Sequence, residues 1–535
     1  MALLQENALA TAVREALSQG ADLRILNKDE NRWDIKPWGE VLEHAEGIAA
    51  HLQSLQVNSA PTPVAVIGEP SYETVATVLA AWLAGRASTI LPGPNRFASL
   101  ESWAARTTTQ LTTLGVDEVF CQGAALRALT SVAPGSVGLR VADLDEVNRW
   151  RTAPAGFTPT TISPGTVSIY QGTAGSTGIP KSVALTAPAA LANVRDVLSR
   201  QRFRTADDVL CSWLPLYHDM GLMMLLAGVV TGAPTWLAPT SAFAKSPFDW
   251  LEWLTASGAT ITAAPNFAYA LLGRYARLAG GADLSALRVA INGGEPIDVS
   301  ATQRFSEQLA PAGFDARAVC ASYGLAEATC GLTMPAAAAG LSFDEVAGPN
   351  GAPHRAALLG AALDGVELRV VPTTHRTDFD AERPVGEVQF RSTAQMIGYF
   401  GDTAIAPGQW IGTGDLGYLV DDQLIVCGRS KELITIAGRN IFPQEIERAV
   451  AGVAGVRPGG IAAVSGGGTA TRRDQLVVVA EYLGDDEPAA RRLISERVAA
   501  ECGVTPGLVD LVAAGTLPKT TSGKLRRVEI AAGYR

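Results

Sequence analysis

None of the six cysteines, Cys121, Cys211, Cys320, Cys330, Cys427 and Cys502, forms a CxxC pair, and they are scattered along a chain of 535 residues. That excludes the density and spacing of a secreted disulfide scaffold and points to reduced thiols in a cytoplasm. Charge is sparse as well, at 18% Asp, Glu, Lys and Arg. The net charge of −10 gives no long-range attraction to nucleic-acid phosphates or to an anionic bilayer, so no nucleic-acid partner is expected. The start, MALLQENALATAVREAL, lacks the basic cluster and apolar run of a signal peptide. No internal repeat is visible. One stretch, Met220 to Ala244, has no charged residue and is long enough to span a membrane. Gly228, Gly232 and Pro234 interrupt it, so the expectation is a buried helix followed by a buried strand, with no stable membrane insertion.

What is present is a large apolar content, 47% of residues, in a chain too long for one hydrophobic core. Strand-like PVAVIG at Pro63–Gly68 precedes a helical stretch at Tyr72–Ala84. The same rhythm recurs at Thr235–Leu237 with Pro247–Ala256, and at Leu287–Asn292 with Ser300–Leu309, which predicts βα units and parallel-rich sheets. After Val366 the texture changes to short β-rich pieces, VELRVV, GEVQFRS and QLIVCGRS, a smaller sheet subdomain. Beyond Lys431 come helices at Gln444–Val450 and Ala489–Cys502 among strands. The expected fold is therefore α/β, with a large multi-subdomain N-terminal domain over residues 1–429. A small mobile α+β lid over 430–535 follows, with a hinge near Lys431.

The most informative run is TAGSTGIPK, Thr173–Lys181. Gly175 and Gly178 let the backbone turn so that N–H groups converge on anionic oxygens. Thr173, Ser176 and Thr177 add hydroxyl donors, and Lys181 adds a positive charge. A glycine-rich turn alone also fits a plain structural loop, and this one is not a Walker loop, because its lysine follows Pro180 and no GK[ST] opens a helix.

The run does resemble the phosphate loop of the adenylate-forming superfamily, which includes acyl-CoA synthetases, peptide-synthetase adenylation domains, luciferases and fatty acyl-AMP ligases. Further motifs follow in that superfamily's order over nearly the whole chain. WLPLYHDMG at Trp213–Gly221, APNFAY at Ala264–Tyr269, NGGEP at Asn292–Pro296 and YGLAEAT at Tyr323–Thr329 are most similar to the fatty acyl-AMP ligase branch. GTGDLG at Gly412–Gly417, GRSKELI from Gly428 and LPKTTSGKL at Leu517–Leu525 complete the set. The resemblance implies that Gly294, Glu295 and Pro296 lie along adenine, that Tyr323 stacks on it, that Asp415 holds ribose, and that Arg429 adds a second ribose or phosphate contact. It implies Mg²⁺ on Glu327, a hard oxygen ligand suited to that ion. It also implies an acyl pocket about Trp213, His218 and Met223, a hinge at Lys431, and a catalytic Lys524 acting with His218 and Lys181.

The chemistry implied is ATP-dependent. A carboxylate is a poor acyl donor, whereas its mixed anhydride with AMP is a good one; the acid attacks the α-phosphorus in line, and positioning and charge neutralisation dominate that step. A thiol, of an acyl carrier protein or alternatively of coenzyme A, then takes the acyl group. A catalytically inactive adenylate-binding regulator is the third reading, suggested by departures from the pattern at Gly172, Ala174 and Ser182. Ala326 stands where many relatives have Thr, although fatty acyl-AMP ligases also tend to carry Ala there. No FDxS-like sequence is present to pair an amino group, which disfavours an amino acid. Fatty acyl-AMP ligases carry an insertion after the YGLAEAT region that hinders rotation to the CoA-using state, and Leu332–Leu363 holds a candidate for a reduced form of it. Lys524→Ala is expected to abolish most acid-dependent pyrophosphate exchange while sparing thioester formation from supplied acyl-adenylate; equal loss of both steps would count against an alternating lid.

Overall fold

The computed structural model describes residues 7–56, 61–94, 99–132, 138–173, 181–278, 280–347, 353–373, 383–436, 439–467, 475–519 and 525–534. Among these, three sheets of seven strands make up the region before Lys431. The first runs in the order Gly398–Tyr399, Ser182–Thr186, Val167–Gly172, Ser88–Leu91, Val64–Ile67, Glu118–Cys121, Arg140–Asp143. Its inner strands pair in parallel, and all four residues of Val64–Ile67 are buried, as a strand covered on both faces requires. At the edge Val167–Gly172 and Ser182–Thr186 pair antiparallel, so the sheet is parallel-rich, as expected, and not wholly parallel.

The second sheet is built from Val319–Ala321, Val289–Asn292, Ile261–Ala264, Leu210–Ser212 and Thr235–Leu237 in parallel. The hairpin Asp22–Asn27 and Arg32–Pro37 extends it at one edge. Helices fill the space between the two sheets. Tyr72–Leu83 starts on Ser71, whose hydroxyl accepts from Thr74 N at 3.1 Å, and all of its residues but Glu73 are buried.

The uncharged stretch resolves as expected into helix Asp219–Thr231 and strand Thr235–Leu237, and no described helix is long and apolar enough to cross a membrane. Gly232 ends that helix at φ +67°, its N–H closing on Gly228 O at 2.8 Å. The third sheet, from Tyr323–Gly324 to Gly386–Ser392 and Val366–Pro372, is antiparallel throughout and matches the β-rich texture.

Beyond the 3-10 turn Ser430–Glu432 a separate core forms. Ile446, Val450, Val478, Ile494 and Val498 are buried among themselves, around a three-stranded sheet of Val456–Gly466, Gln475–Tyr482 and Leu508–Val512. Helices Pro443–Ala451 and Glu487–Cys502 cover it. A small α+β unit with its own apolar interior matches the strands and helices expected beyond Lys431.

Gly232 is a tight junction in the large region. A Cβ there would lie 2.5 Å from Ala16 O, on a backbone that L side chains rarely adopt. Gly232→Ala is expected to lower stability by about 1–3 kcal/mol, read from the urea midpoint.

Candidate active site

Strand Ile411–Val420 pairs with Gln423–Arg429 so that Asp415 lies opposite Arg429. Asp415 is buried, 6% exposed, yet both its carboxylate oxygens have partners. Tyr323 Oη donates to Oδ2 at 2.6 Å, and Arg429 Nε donates to Oδ1 at 3.2 Å. Burial and the Asp415 charge push the Tyr323 phenol well above its ordinary value, so it stays a proton donor. Burial alone would lower the Arg429 guanidinium, but the carboxylates of Asp415, Glu432 and Glu327 outweigh it and raise it. Two of the expected nucleotide contacts are thereby tied to a third.

A second chain of contacts begins at Glu327. It sits in the 3-10 turn Ala326–Ala328, and its Oε1 accepts from Tyr399 Oη at 2.7 Å. Burial, then the Glu327 charge, raises the Tyr399 phenol. The Lys181 ammonium stands 4.5 Å from the Tyr399 ring centroid and 3.1 Å from Asp402 Oδ2. With 61% and 53% of those two side chains exposed, the ion pair is worth at most about 1 kcal/mol, so Lys181 can leave Asp402 for a more strongly charged anion. Tyr399 carries no motif in the sequence. It reaches the site because Gly398–Tyr399 adds to the edge of the strand that follows the phosphate-loop run.

Backbone strain accompanies Glu327. Thr329 has φ +69° and ψ −58°, a γ-turn closed by Cys330 N to Ala328 O at 2.8 Å, and such a conformation costs about 1–3 kcal/mol in a β-branched residue. Thr329 Oγ1 donates to Ala394 O at 2.9 Å, and Met396 N donates to Glu327 O at 2.8 Å. The strand of Tyr399 therefore braces the turn that presents Glu327.

The expected acyl and adenine motifs also meet. His218 precedes helix Asp219–Thr231, with Nδ1 2.6 Å from Asp219 Oδ1. Gly294, at φ +77°, has His218 Cε1 and Met220 Cε as the nearest atoms to a hypothetical Cβ, at 3.9 and 3.8 Å. Side-chain space is open there. Glu295 Oε1 accepts from Phe267 N at 2.5 Å, and Asn292 Nδ2 donates to Asn266 Oδ1 at 3.3 Å, binding NGGEP to APNFAY. Pro296 is exposed beside them. Gln171 Nε2 donates to Tyr217 O at 2.5 Å and so joins the phosphate-loop strand to WLPLYHDMG. Gln171, like Tyr399, escaped the motif reading, and Asn266 lies within APNFAY but was given no role of its own.

Trp213 is buried in an aromatic stack, its ring parallel to Phe243 at 3.6 Å, and Met223 is buried on the helix that follows. Thr173 N and Oγ1 both donate to Lys181 O, at 2.9 and 3.2 Å, closing the neck of the loop. Gly175, Ser176, Thr177 and Gly178 lie outside the described residues, as does Lys524. The stem of the Lys524 loop is described. Burial lowers the Lys519 ammonium, opposed by the carboxylates of Glu481 and of Glu295, which puts this stem within electrostatic reach of NGGEP. At Gly172 a Cβ would meet nothing within 4 Å, and its partner Ser182 is buried.

A family model described as AMP-binding enzyme matches residues 5–400. The chain is similar to a ligase of Mycobacterium tuberculosis, 33% identical over 92% of this chain and 93% of that one. It is also similar to a long-chain-fatty-acid–AMP ligase of Mycobacterium marinum, 30% identical over 75% of this chain and 74% of the relative. Among solved structures, a chain from work on fatty acyl-adenylate ligases of E. coli and L. pneumophila superposes with a TM-score of 0.88 at 29% identity, covering 99% of both chains. A fatty acyl-adenylate ligase of L. pneumophila in complex with acyl adenylate and pyrophosphate gives a TM-score of 0.70 at 25% identity, over 99% of this chain and 97% of that one.

Tyr323→Phe removes one hydroxyl from a buried carboxylate. It is expected to lower stability by about 1.5 kcal/mol in denaturant unfolding; an unchanged midpoint would mean the Tyr323–Asp415 bond contributes nothing in solution.

Proposed function

The chain belongs to the AMP-binding enzyme family and is an adenylate-forming ligase, and on that premise we propose that it activates a fatty or other apolar carboxylic acid and delivers the acyl group to the phosphopantetheine thiol of an acyl carrier protein. The observation that carries the proposal is the convergence of residues far apart in sequence on two adjoining carboxylates: Tyr323 and Arg429 on Asp415, and Tyr399, with Lys181 above its ring, on Glu327.

ATP fits this donor set. Each Asp415 oxygen keeps acceptor capacity beyond its present bond, enough for the two ribose hydroxyls. Adenine lies against Tyr323, over the side-chain-free surface of Gly294 and beside Glu295 and Pro296. Thr173, Gly175, Ser176, Thr177 and Gly178 wrap the phosphates, and Lys181 exchanges Asp402 for them. Among the described residues no group of three or more His, Cys, Asp or Glu side chains could hold a metal. A single carboxylate, Glu327, suits Mg²⁺ shared with nucleotide phosphates. When bound, that ion neutralises phosphate charge.

The substrate carboxylate, steered by His218, attacks the α-phosphorus. A new P–O bond forms as the bond to pyrophosphate breaks, with Lys524 stabilising the charge that spreads over the departing oxygens. The acyl chain extends past His218 toward the apolar wall of Trp213 and Met223. Residues 430–535 then turn about Lys431, withdrawing Lys524, and the thiol attacks the acyl carbon as AMP leaves.

A carrier protein as acceptor is supported by the hairpin Phe343–Ala347 and Pro353–Ala357, inside the segment expected to hold a reduced insertion. Its Asp344 is held by Arg383 at 3.1 Å and by the Tyr418 hydroxyl at 3.1 Å, and its Val346 shares an apolar cluster with Phe442, beyond the hinge. Such a contact restrains the lid from rotating on to a CoA-using state. Coenzyme A is the second reading, favoured by a relative from Caulobacter vibrioides named as an acyl-CoA synthetase, 34% identical over 71% of this chain and 70% of its own. A cytoplasmic location completes the proposal.

Pyrophosphate exchange over fatty, short-chain and aromatic acids tests the first step, and no exchange above background with any of the acids would favour the inactive regulator. Incubation with ATP, the acids and either coenzyme A or a phosphopantetheinylated carrier tests the second. Acyl-carrier product is expected; a high yield of CoA thioester would overturn the carrier assignment.

A further inference from the structure

Arg527 opens helix Arg527–Ala532, three positions beyond Lys524. Its guanidinium makes three bonds to two carboxylates: Nε to Glu447 Oε1 at 2.8 Å, Nη2 to Glu447 Oε2 at 2.8 Å, and Nη1 to Glu432 Oε2 at 2.9 Å. The side chains are only 17%, 14% and 15% exposed for Arg527, Glu447 and Glu432. Burial alone would lower the guanidinium, but the two carboxylates raise it, so the charge persists. A planar fork on one carboxylate with a third N–H on a second is an orientation that lysine cannot reproduce.

The two carboxylates come from informative places. Glu432 ends the 3-10 turn Ser430–Glu432 and is the residue next to Lys431, while Glu447 belongs to helix Pro443–Ala451 and also accepts from Ala463 N at 3.1 Å. The loop that carries Lys524 is closed at its base by the bridge Lys519 to Leu525 and by Arg526 N donating to Pro518 O at 3.0 Å. Its first stem is gripped by fully buried Glu481, whose Oε1 accepts from Leu517 N at 3.1 Å and whose Oε2 accepts from Arg457 at 2.7 Å. Its second stem is gripped by Arg527.

We infer that Arg527 is a positioning residue that locks the residue after the hinge to the stem of the Lys524 loop, so that rotation at Lys431 reaches Lys524 without slack. This rests on the proposed roles of Lys431 and Lys524. Because Glu432 is held to the body of the small domain, torsional freedom is confined to its N-terminal side. An ion pair that merely fastened one helix to another would have no need of the hinge carboxylate.

Glu432→Gln is the discriminating variant, since it weakens the hinge contact and leaves the Arg527–Glu447 fork intact. In the full chain, amide hydrogen exchange is expected to quicken about tenfold in both 429–436 and 519–530, with the global unfolding midpoint near wild type. Both half-reactions, acid-dependent pyrophosphate exchange and transfer from supplied acyl-adenylate, are expected to lose about tenfold in kcat, unlike Lys524→Ala, which spares the second. Arg527→Lys, which keeps the charge without the fork, is expected to behave like Glu432→Gln. Faster exchange confined to 429–436, or both half-reactions within about twofold of wild type, would overturn the inference. Failure of the acyl-adenylate reading shows separately, as wild-type protein with no acid-dependent exchange, and the hydrogen-exchange comparison still decides the clamp.

Discussion

Everything in the site hangs on one buried carboxylate being kept partnered. Asp415 sits where water is scarce, and a carboxylate there without hydrogen-bond partners would carry a large desolvation cost. The cross-strand register that sets it opposite Arg429, and the hydroxyl of Tyr323 from a different part of the third sheet, satisfy both oxygens without exhausting them. The antiparallel sheet is thus a device for bringing a cation and a phenol to one anion. The parallel sheets contribute the other walls, and their packed interior holds those walls still.

Much of this was legible in the chain. The helix expected at Tyr72–Ala84 spans Tyr72–Leu83, and that expected at Gln444–Val450 spans Pro443–Ala451, because apolar spacing and caps are local signals. Asp415, Arg429, Tyr323, Glu327 and Lys181 were named from motifs, and the structure brings them into two contact chains. What escaped was non-local. The hairpin of Asp22–Asn27 and Arg32–Pro37 joins the second sheet through a parallel pairing with Thr235–Leu237, far along the chain, and nothing near either segment announces the other. Tyr399 matters only because two residues of QMIGYF add to a sheet edge, too short a strand to leave a periodic trace. Asn266 and Gln171 are amides whose value lies in what they face.

The small domain obeys a different logic. Its apolar interior is closed on itself, and its ties to the rest among the described residues include Phe442 and Leu433 in the cluster with Val346, and the charge of Glu432 on Arg429. Charged groups add to apolar packing at one loop of this domain. Glu481 and Arg527 each hold one stem of a loop whose base is also closed by a short bridge and by the packing of Leu517, Leu525 and Ile530.

The strained turn at Thr329 has a consequence for how this protein can change. A glycine would accept φ +69° more readily, so the chain carries less stability than a single substitution could supply. That reserve is not idle: the same turn, braced through Ala394 and Met396, fixes the direction of Glu327. Selection for robustness and selection for aim pull in opposite directions at this one residue. A lineage drifting toward greater heat tolerance would meet the conflict here early, and would have to find its gains elsewhere or accept a blunter catalyst.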